Sequence, residues 1–187
     1  MIIHSHKAIH IHISKCAGQS VEKAFGQYIG QHHLKPQIVK KIGNDKWEDY
    51  YKFTFVRNPW DRLVSLYHFR LRKMRHLIKG RKFKEWLECI FDEYHPKVHQ
   101  HYWITEDDKL IVDFVGKFET LNEDFSKVCE KIGADVSLGH FNKSKHNHYM
   151  SYYDDESRQL VQDKCKVDIE MFGYTFEGLC APALVLR

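Results

Sequence analysis

Several absences narrow the class of this chain before any motif is considered. Its cysteines, Cys16, Cys89, Cys129, Cys165 and Cys180, are odd in number and include no Cys-x-x-Cys pair. Neither a disulfide framework nor a zinc site is indicated, and the thiols read as the reduced cysteines of a cytosol. No apolar run is long enough to cross a membrane, and Met1 leads into the first strand with no room for a signal peptide. A soluble, cytoplasmic protein without membrane insertion is expected. A strong charge of one sign is missing too: the formal net charge of +4 suits an anionic ligand without calling for a nucleic-acid polymer.

What remains is enough for one globular domain. At 187 residues the chain can bury a sizeable core, and its hydrophobic fraction of 43% is that of a folded protein rather than a disordered one.

The rest of the chain is organised around Ala8–Phe25, AIHIHISKCAGQSVEKAF. Ile9, Ile11 and Ile13 alternate with His10 and His12, as in a strand, whereas Val21, Ala24, Phe25, Tyr28 and Ile29 recur at helical spacing. Ser14 to Ser20 is therefore a strand-to-helix elbow. A helix starting there aims unpaired N–H groups and the positive end of its dipole at the loop, which suits a phosphate or sulfate. Lys15 adds a full charge, Gly18 permits close backbone approach, and the Ser20 hydroxyl can cap the helix or donate to an oxyanion. The nucleoside-triphosphate loop carries its lysine after the final glycine, and here Lys15 precedes Gly18.

A second strand-to-helix junction follows. Tyr51, Phe53 and Phe55 alternate with Lys52, Thr54 and Val56, and the strand ends at Arg57-Asn58-Pro59-Trp60-Asp61. Asn58 suits an N-cap and Pro59 the first helical position, while Trp60, Leu63, Val64, Tyr67, Leu71 and Met74 form an apolar stripe. Arg57 can grip a phosphate through two parallel hydrogen bonds, and Ser65 offers a hydroxyl two turns along.

Further along, eight Lys or Arg residues lie between Arg70 and Lys84, either a solvated helix face or a groove for an acidic glycan. Trp86–Tyr94 is expected to be helical and His95–Trp103 a connector. Leu110–Val115 is expected as a third strand, with a Thr120/Glu123 capping box opening a helix that Gly133 ends. A last helix is expected over Asp155–Phe172. His10 and His12 share a strand face, and packing is favoured over a metal site because no carboxylate or cysteine accompanies them on that strand.

Strands alternating with helices imply an α/β fold, a single domain with a central parallel sheet flanked by helices and its ligand at the carboxyl ends of the strands. Two motifs then carry a family resemblance. Ser-Lys-Cys-Ala-Gly-Gln-Ser after Ile-His-Ile resembles the phosphosulfate loop of sulfotransferases that use 3′-phosphoadenosine 5′-phosphosulfate (PAPS), with Ser14 in place of a common proline and Cys16 and Gln19 in place of threonines. Phe-Val-Arg-Asn-Pro-Trp-Asp-Arg-Leu-Val-Ser resembles the same family's 3′-phosphate motif. The chain is thus similar, from Ile9 to Phe176, to the carbohydrate-type, bacterial-like members of that family.

The resemblance implies a P-loop-like sulfotransferase fold over residues 1–176, with 177–187 a disordered or vector-derived tail. It implies that Lys15, Cys16, Ala17, Gly18, Gln19 and Ser20 hold the phosphosulfate and that Arg57 and Ser65 hold the 3′-phosphate. Lys143 and Ser144 would help to hold the nucleotide, Lys15 would act in catalysis, and His32 or His33 would be the base. The implied reaction is sulfuryl transfer from PAPS, a donor co-substrate, to a hydroxyl of a glycan or related acceptor, with no metal required. A kinase-like phosphoryl-transfer enzyme and a non-catalytic nucleotide- or glycan-binding protein stand as the alternatives.

Overall fold

The computed structural model describes residues 1–26, 46–139 and 146–180. In chain order these form β1 (Ile2–Ile3), β2 (Ala8–Ile11), α1 (Gly18–Ala24), α2 (Lys46–Asp49), β3 (Tyr51–Val56), α3 (Pro59–Lys73), α4 (Phe83–Tyr94), β4 (Thr105–Glu106), β5 (Lys109–Leu110), β6 (Phe114–Lys117), α5 (Leu121–Ile132), α6 (Asp155–Lys164), α7 (Lys166–Phe172), β7 (Tyr174–Thr175) and β8 (Gly178–Leu179). They fall into two compact units, Met1–Val56 with Tyr102–Lys143, and Arg57–His101 with Ser144–Arg187.

The first unit holds the sheet, in the order β1-β2-β3-β6. β2, β3 and β6 run parallel, and β1 adds an antiparallel edge. The fold is α/β, with a mostly parallel sheet flanked by helices, as expected. All four residues of β2 are buried, so His10 sits between Ile9 and Ile11 without either face reaching water, the condition of a parallel strand covered on both sides. Thr54 satisfies its hydroxyl inside this sheet by donating to the Ile11 carbonyl at 2.7 Å. On one face His10 stacks on Phe53 at 5.1 Å, and Phe125 of α5 meets both Phe55 (6.5 Å) and Phe25 at the end of α1 (5.9 Å).

Two local expectations are corrected here. The strand expected over Leu110–Val115 is split: β5 pairs with β4 in a small hairpin, and the sheet strand starts only at Phe114. Asp113 sets that start, because its N–H donates to the Lys52 carbonyl at 2.7 Å and its Oδ2 accepts from the Lys52 N–H at 2.7 Å. At the start of α5 there is no Thr120/Glu123 box. Thr120 Oγ1 donates instead to Asp124 Oδ2 (2.8 Å), which also accepts from the Lys117 N–H (2.9 Å). Gly133 does end the helix, with φ 65 in the left-handed region.

The second unit is built on α3. Asn58 caps it as expected, Oδ1 accepting from the N–H groups of Trp60 (3.1 Å) and Asp61 (3.4 Å), with Pro59 in the first turn. Trp60, Leu63, Val64 and Tyr67 bury their stripe in one core with Trp86, Leu87 and Ile90 of α4 and with Val161, Cys165 and Ile169. Each such side chain taken fully from water contributes about 1.5–3 kcal/mol. The helix expected over Asp155–Phe172 is two helices, α6 and α7, interrupted at Cys165 (φ −102, ψ 18). Structure also continues past Phe176, where a tail was expected: β8 pairs with β7, and only residues 181–187 lie outside the described part.

Candidate active site

β2 and β3 are parallel neighbours with Ile11 opposite Thr54, so both release the chain at the same edge of the sheet. From β2 the chain enters the elbow. Lys15 (φ 67) and Ala17 (φ 65) both lie in the left-handed region, which disfavours residues with a Cβ by about 1–2 kcal/mol each. Strain of that size persists where the surrounding structure enforces it, and turns through left-handed residues gather N–H groups around anions. α1 then begins at Gly18 with Ala17 as its N-cap, and no side chain caps it, so Ser20 is not a capping residue. Its own N–H donates to the Ala17 carbonyl at 2.8 Å. Cys16 is turned inward, buried with Sγ 3.6 Å from the Ser14 carbonyl, so that it can offer a ligand only its backbone.

Behind the loop lies a buried pair that the sequence did not reveal. His12 Nδ1 is 2.8 Å from Glu22 Oε1, and both side chains are buried. The carboxylate judged missing from the His10/His12 face therefore comes from α1. Gly18 proves necessary for a different close approach from the one expected, since a Cβ there would lie 2.0 Å from His12 Cδ2. His10 stacks at 5.9 Å on His12 and is itself enclosed; burial, then the nearby His12 charge, pushes its pKa well below the ordinary value and keeps it neutral.

From β3 the chain passes directly to Arg57. Arg57 is 7% exposed and its guanidinium rests on Asp61, with Nε at 2.9 Å and Nη2 at 2.8 Å from the same Oδ2. Asp61 thus fixes one edge of the planar fork. Ser65 follows on the same helix, also buried. The Arg57 backbone is gripped as well: its N–H donates to Gln100 Oε1 (2.9 Å), and Gln100 Nε2 donates to its carbonyl (2.8 Å). Gln100 passes the restraint on through its own N–H to Asp168 Oδ2 at 2.7 Å. Asp168 Oδ1 accepts from the His101 N–H at 2.8 Å and lies 2.6 Å from His101 Nδ1.

Gln100 sits in the connector that the sequence left undecided, with no periodicity to mark it. Asp168 did carry a signal. It falls on the stripe formed by Cys165, Ile169 and Phe172 at helical spacing, and a carboxylate on an apolar stripe must have buried partners.

One group of metal-type ligands converges among the described residues: His99, Cys165 and Asp168, with ligand atoms within 4.8 Å of one another. Burial foremost, followed by the charges of His101, His95 and Arg62, outweighs Asp168 and holds His99 at about 4, while burial pushes the Cys165 thiol up. The Asp168 carboxylate is already engaged by Gln100 and His101.

Of the eight charges in the basic run, several are used internally. Lys84 bridges Asp154 (2.9 Å) and Glu156 (2.7 Å), Arg81 and Lys79 meet Glu93 (2.9 and 3.2 Å), and Arg70 is buried over the Tyr94 ring at 3.9 Å. Arg72, Lys73, Arg75 and Lys82 are exposed. The remaining expected site residues, His32, His33, Lys143 and Ser144, lie outside the described residues.

A family model described as the sulfotransferase family matches residues 1–175. The chain is 36% identical over 108 residues to an uncharacterized protein of Archaeoglobus fulgidus, a match covering 54% of this chain and 82% of that one. It is 31% identical over 168 aligned residues to carbohydrate sulfotransferase 9 of Homo sapiens, covering 67% of this chain and 38% of the human protein. This chain therefore spans well under half the length of the human relative. No solved structure matches the chain. Among the described residues no helix is long and apolar enough to cross a membrane.

Proposed function

The chain belongs to the sulfotransferase family, and from that premise we propose that it transfers a sulfuryl group from PAPS to a hydroxyl of a carbohydrate acceptor. The observation that carries the reading is the succession of two anion motifs after neighbouring parallel strands: the strained loop with Lys15 after β2, and the braced Arg57 after β3. In this reading Lys15 and the amides of Cys16 to Ser20 stabilise charge on the bridging and terminal oxygens of the phosphosulfate. Arg57 and Ser65 take the 3′-phosphate, and Lys143 and Ser144 assist with the nucleotide. The acceptor oxygen attacks sulfur, the bond from sulfur to the donor's phosphate oxygen breaks, and the hydroxyl proton passes to His32 or His33. As in phosphoryl transfer, little covalent chemistry falls to the protein beyond positioning, charge stabilisation and proton removal. The step is proposed without a metal. A cytoplasmic location, suggested by five free cysteines, belongs to the same proposal.

The test is ligand-induced stabilisation. Adenosine 3′,5′-bisphosphate, the donor's product, should raise the melting temperature far more than ADP does, and Arg57→Ala should remove about 2 kcal/mol of its binding, the cost of a charge-assisted contact. Equal stabilisation by both nucleotides, or unchanged affinity in the variant, would sink the assignment and leave the kinase alternative, which should respond to ATP and ADP. Transfer of label from radioactive donor separates an enzyme from a binding protein.

For the acceptor we propose an acidic glycan, supported by exposed Arg72, Lys73 and Arg75 on and just after α3. Arg72→Glu with Arg75→Glu should raise acceptor KM at low salt, and the wild-type KM should rise with salt as the charges are screened. A KM indifferent to both changes would point to a neutral acceptor.

A further inference from the structure

The proposed 3′-phosphate arginine occupies an awkward position in the chain. It comes one residue after the last residue of β3 and one before the helix cap Asn58, so neither the strand ladder nor the helix supplies its backbone partners. Buried N–H and C=O groups must nevertheless be satisfied. A primary amide is the side-chain group that carries a donor and an acceptor side by side, as a strand residue does. Gln100, 0% exposed, presents both to Arg57 at 2.9 and 2.8 Å.

We infer that Gln100, tethered by Asp168, is a positioning residue that sets Arg57 for the 3′-phosphate of the nucleotide. The inference rests on the proposed function. Gln100 touches no part of the ligand in this account. It acts through the backbone from which the Arg57 side chain springs, while Asp61 holds the guanidinium at the other end. With both ends held, Arg57 has little freedom left to lose when a phosphate arrives, and preorganisation of this kind raises affinity by removing an ordering cost. Asp168, 1% exposed, is the fixed point. It holds the N–H groups of Gln100 and His101 on separate oxygens, so that the peptide carrying the Gln100 amide cannot slide.

A double-mutant cycle tests this. Gln100→Met keeps length and volume but can neither donate to nor accept from Arg57. Binding of adenosine 3′,5′-bisphosphate and of adenosine 5′-phosphate is measured by calorimetry for the wild type, Gln100→Met, Arg57→Ala and the double variant, below each protein's melting temperature. Gln100→Met should weaken the bisphosphate by about tenfold and the monophosphate little. Once Arg57 is alanine, Gln100→Met should cost nothing further, because contacts that act through one group are not additive. Asp168→Asn should reproduce the selective loss, and it carries the test if Gln100→Met does not fold. A loss that is equal for both nucleotides, or that persists undiminished without the Arg57 side chain, overturns the inference while leaving the proposed function standing. A wild type that fails to prefer the bisphosphate defeats the proposed function itself, and the inference with it.

Discussion

Lys15→Ala should lower turnover about a hundredfold or more, the scale seen when one preorganised charge or donor is removed from a developing anion. Affinity for adenosine 3′,5′-bisphosphate should change only a few-fold. The asymmetry follows from where the lysine sits. It belongs to a loop that holds Lys15 and Ala17 in left-handed conformations, a cost the surrounding fold sustains. A charge held by such a loop is worth most when negative charge builds between sulfur and its leaving oxygen, and less in the product complex, where no sulfuryl group remains. Turnover numbers and product dissociation constants for the two proteins provide the check. Turnover near the wild-type value would remove Lys15 from the chemistry and reduce the loop to a connector. Arginine is a poor rescue at this position, because its planar fork does not present the compact point charge of an ammonium.

Much of this arrangement could be read from the residues, and the reasons are physical. The junctions Ile11 to Gly18 and Val56 to Pro59 were legible because a change from period two to helical spacing, followed by Asn-Pro, is a local signal that needs no tertiary contact. The same holds for Gly133, where a left-handed C-cap depends only on the adjacent helix. What could not be read depends on partners distant in sequence. The break between β5 and β6 is set by Asp113 gripping Lys52, a partner 61 residues away. The Gln100 clamp on Arg57 spans 43 residues, and Asp168 reaches across 68 to the Gln100 N–H. The basic run was only partly legible for a related reason. Charges counted along the chain give no indication that Lys84 faces Asp154 and Glu156 or that Arg70 lies over Tyr94. His12 is the instructive intermediate case. Its pairing with Glu22 bridges only ten residues, yet it needs the loop to fold α1 back over the strand before the two can meet.

That fold-back leads to the second large effect, at Gly18. Replacing glycine by alanine inside a helix usually stabilises it by about 0.5–1 kcal/mol, so propensity alone predicts a gain for Gly18→Ala. Contact geometry predicts the opposite. The new Cβ would stand 2.0, 2.1 and 2.5 Å from three atoms of the His12 ring. The ring is not the loose end of a flexible side chain, for it is 7% exposed, its Nδ1 lies 2.8 Å from Glu22, and His10 stacks on it at 5.9 Å. Swinging it aside would break a buried bond and strand a carboxylate, at about 1–3 kcal/mol or more for a charged group. Shifting the backbone instead would disturb Ala17, which adjoins Gly18, and Lys15, three peptide links back. Either route should leave Gly18→Ala about 2–4 kcal/mol less stable, given that overpacking alone costs about 1–3 kcal/mol, and should depress turnover along with Lys15. Removing the ring identifies the cause. In a His12→Ala background, already weakened by the loss of the Glu22 partner, Gly18→Ala should be neutral or slightly stabilising, because helix propensity is then unopposed. Denaturant unfolding of the four proteins decides the matter, and an equal penalty for Gly18→Ala with and without the His12 ring would show that the glycine is required by its own backbone and not by the histidine above it.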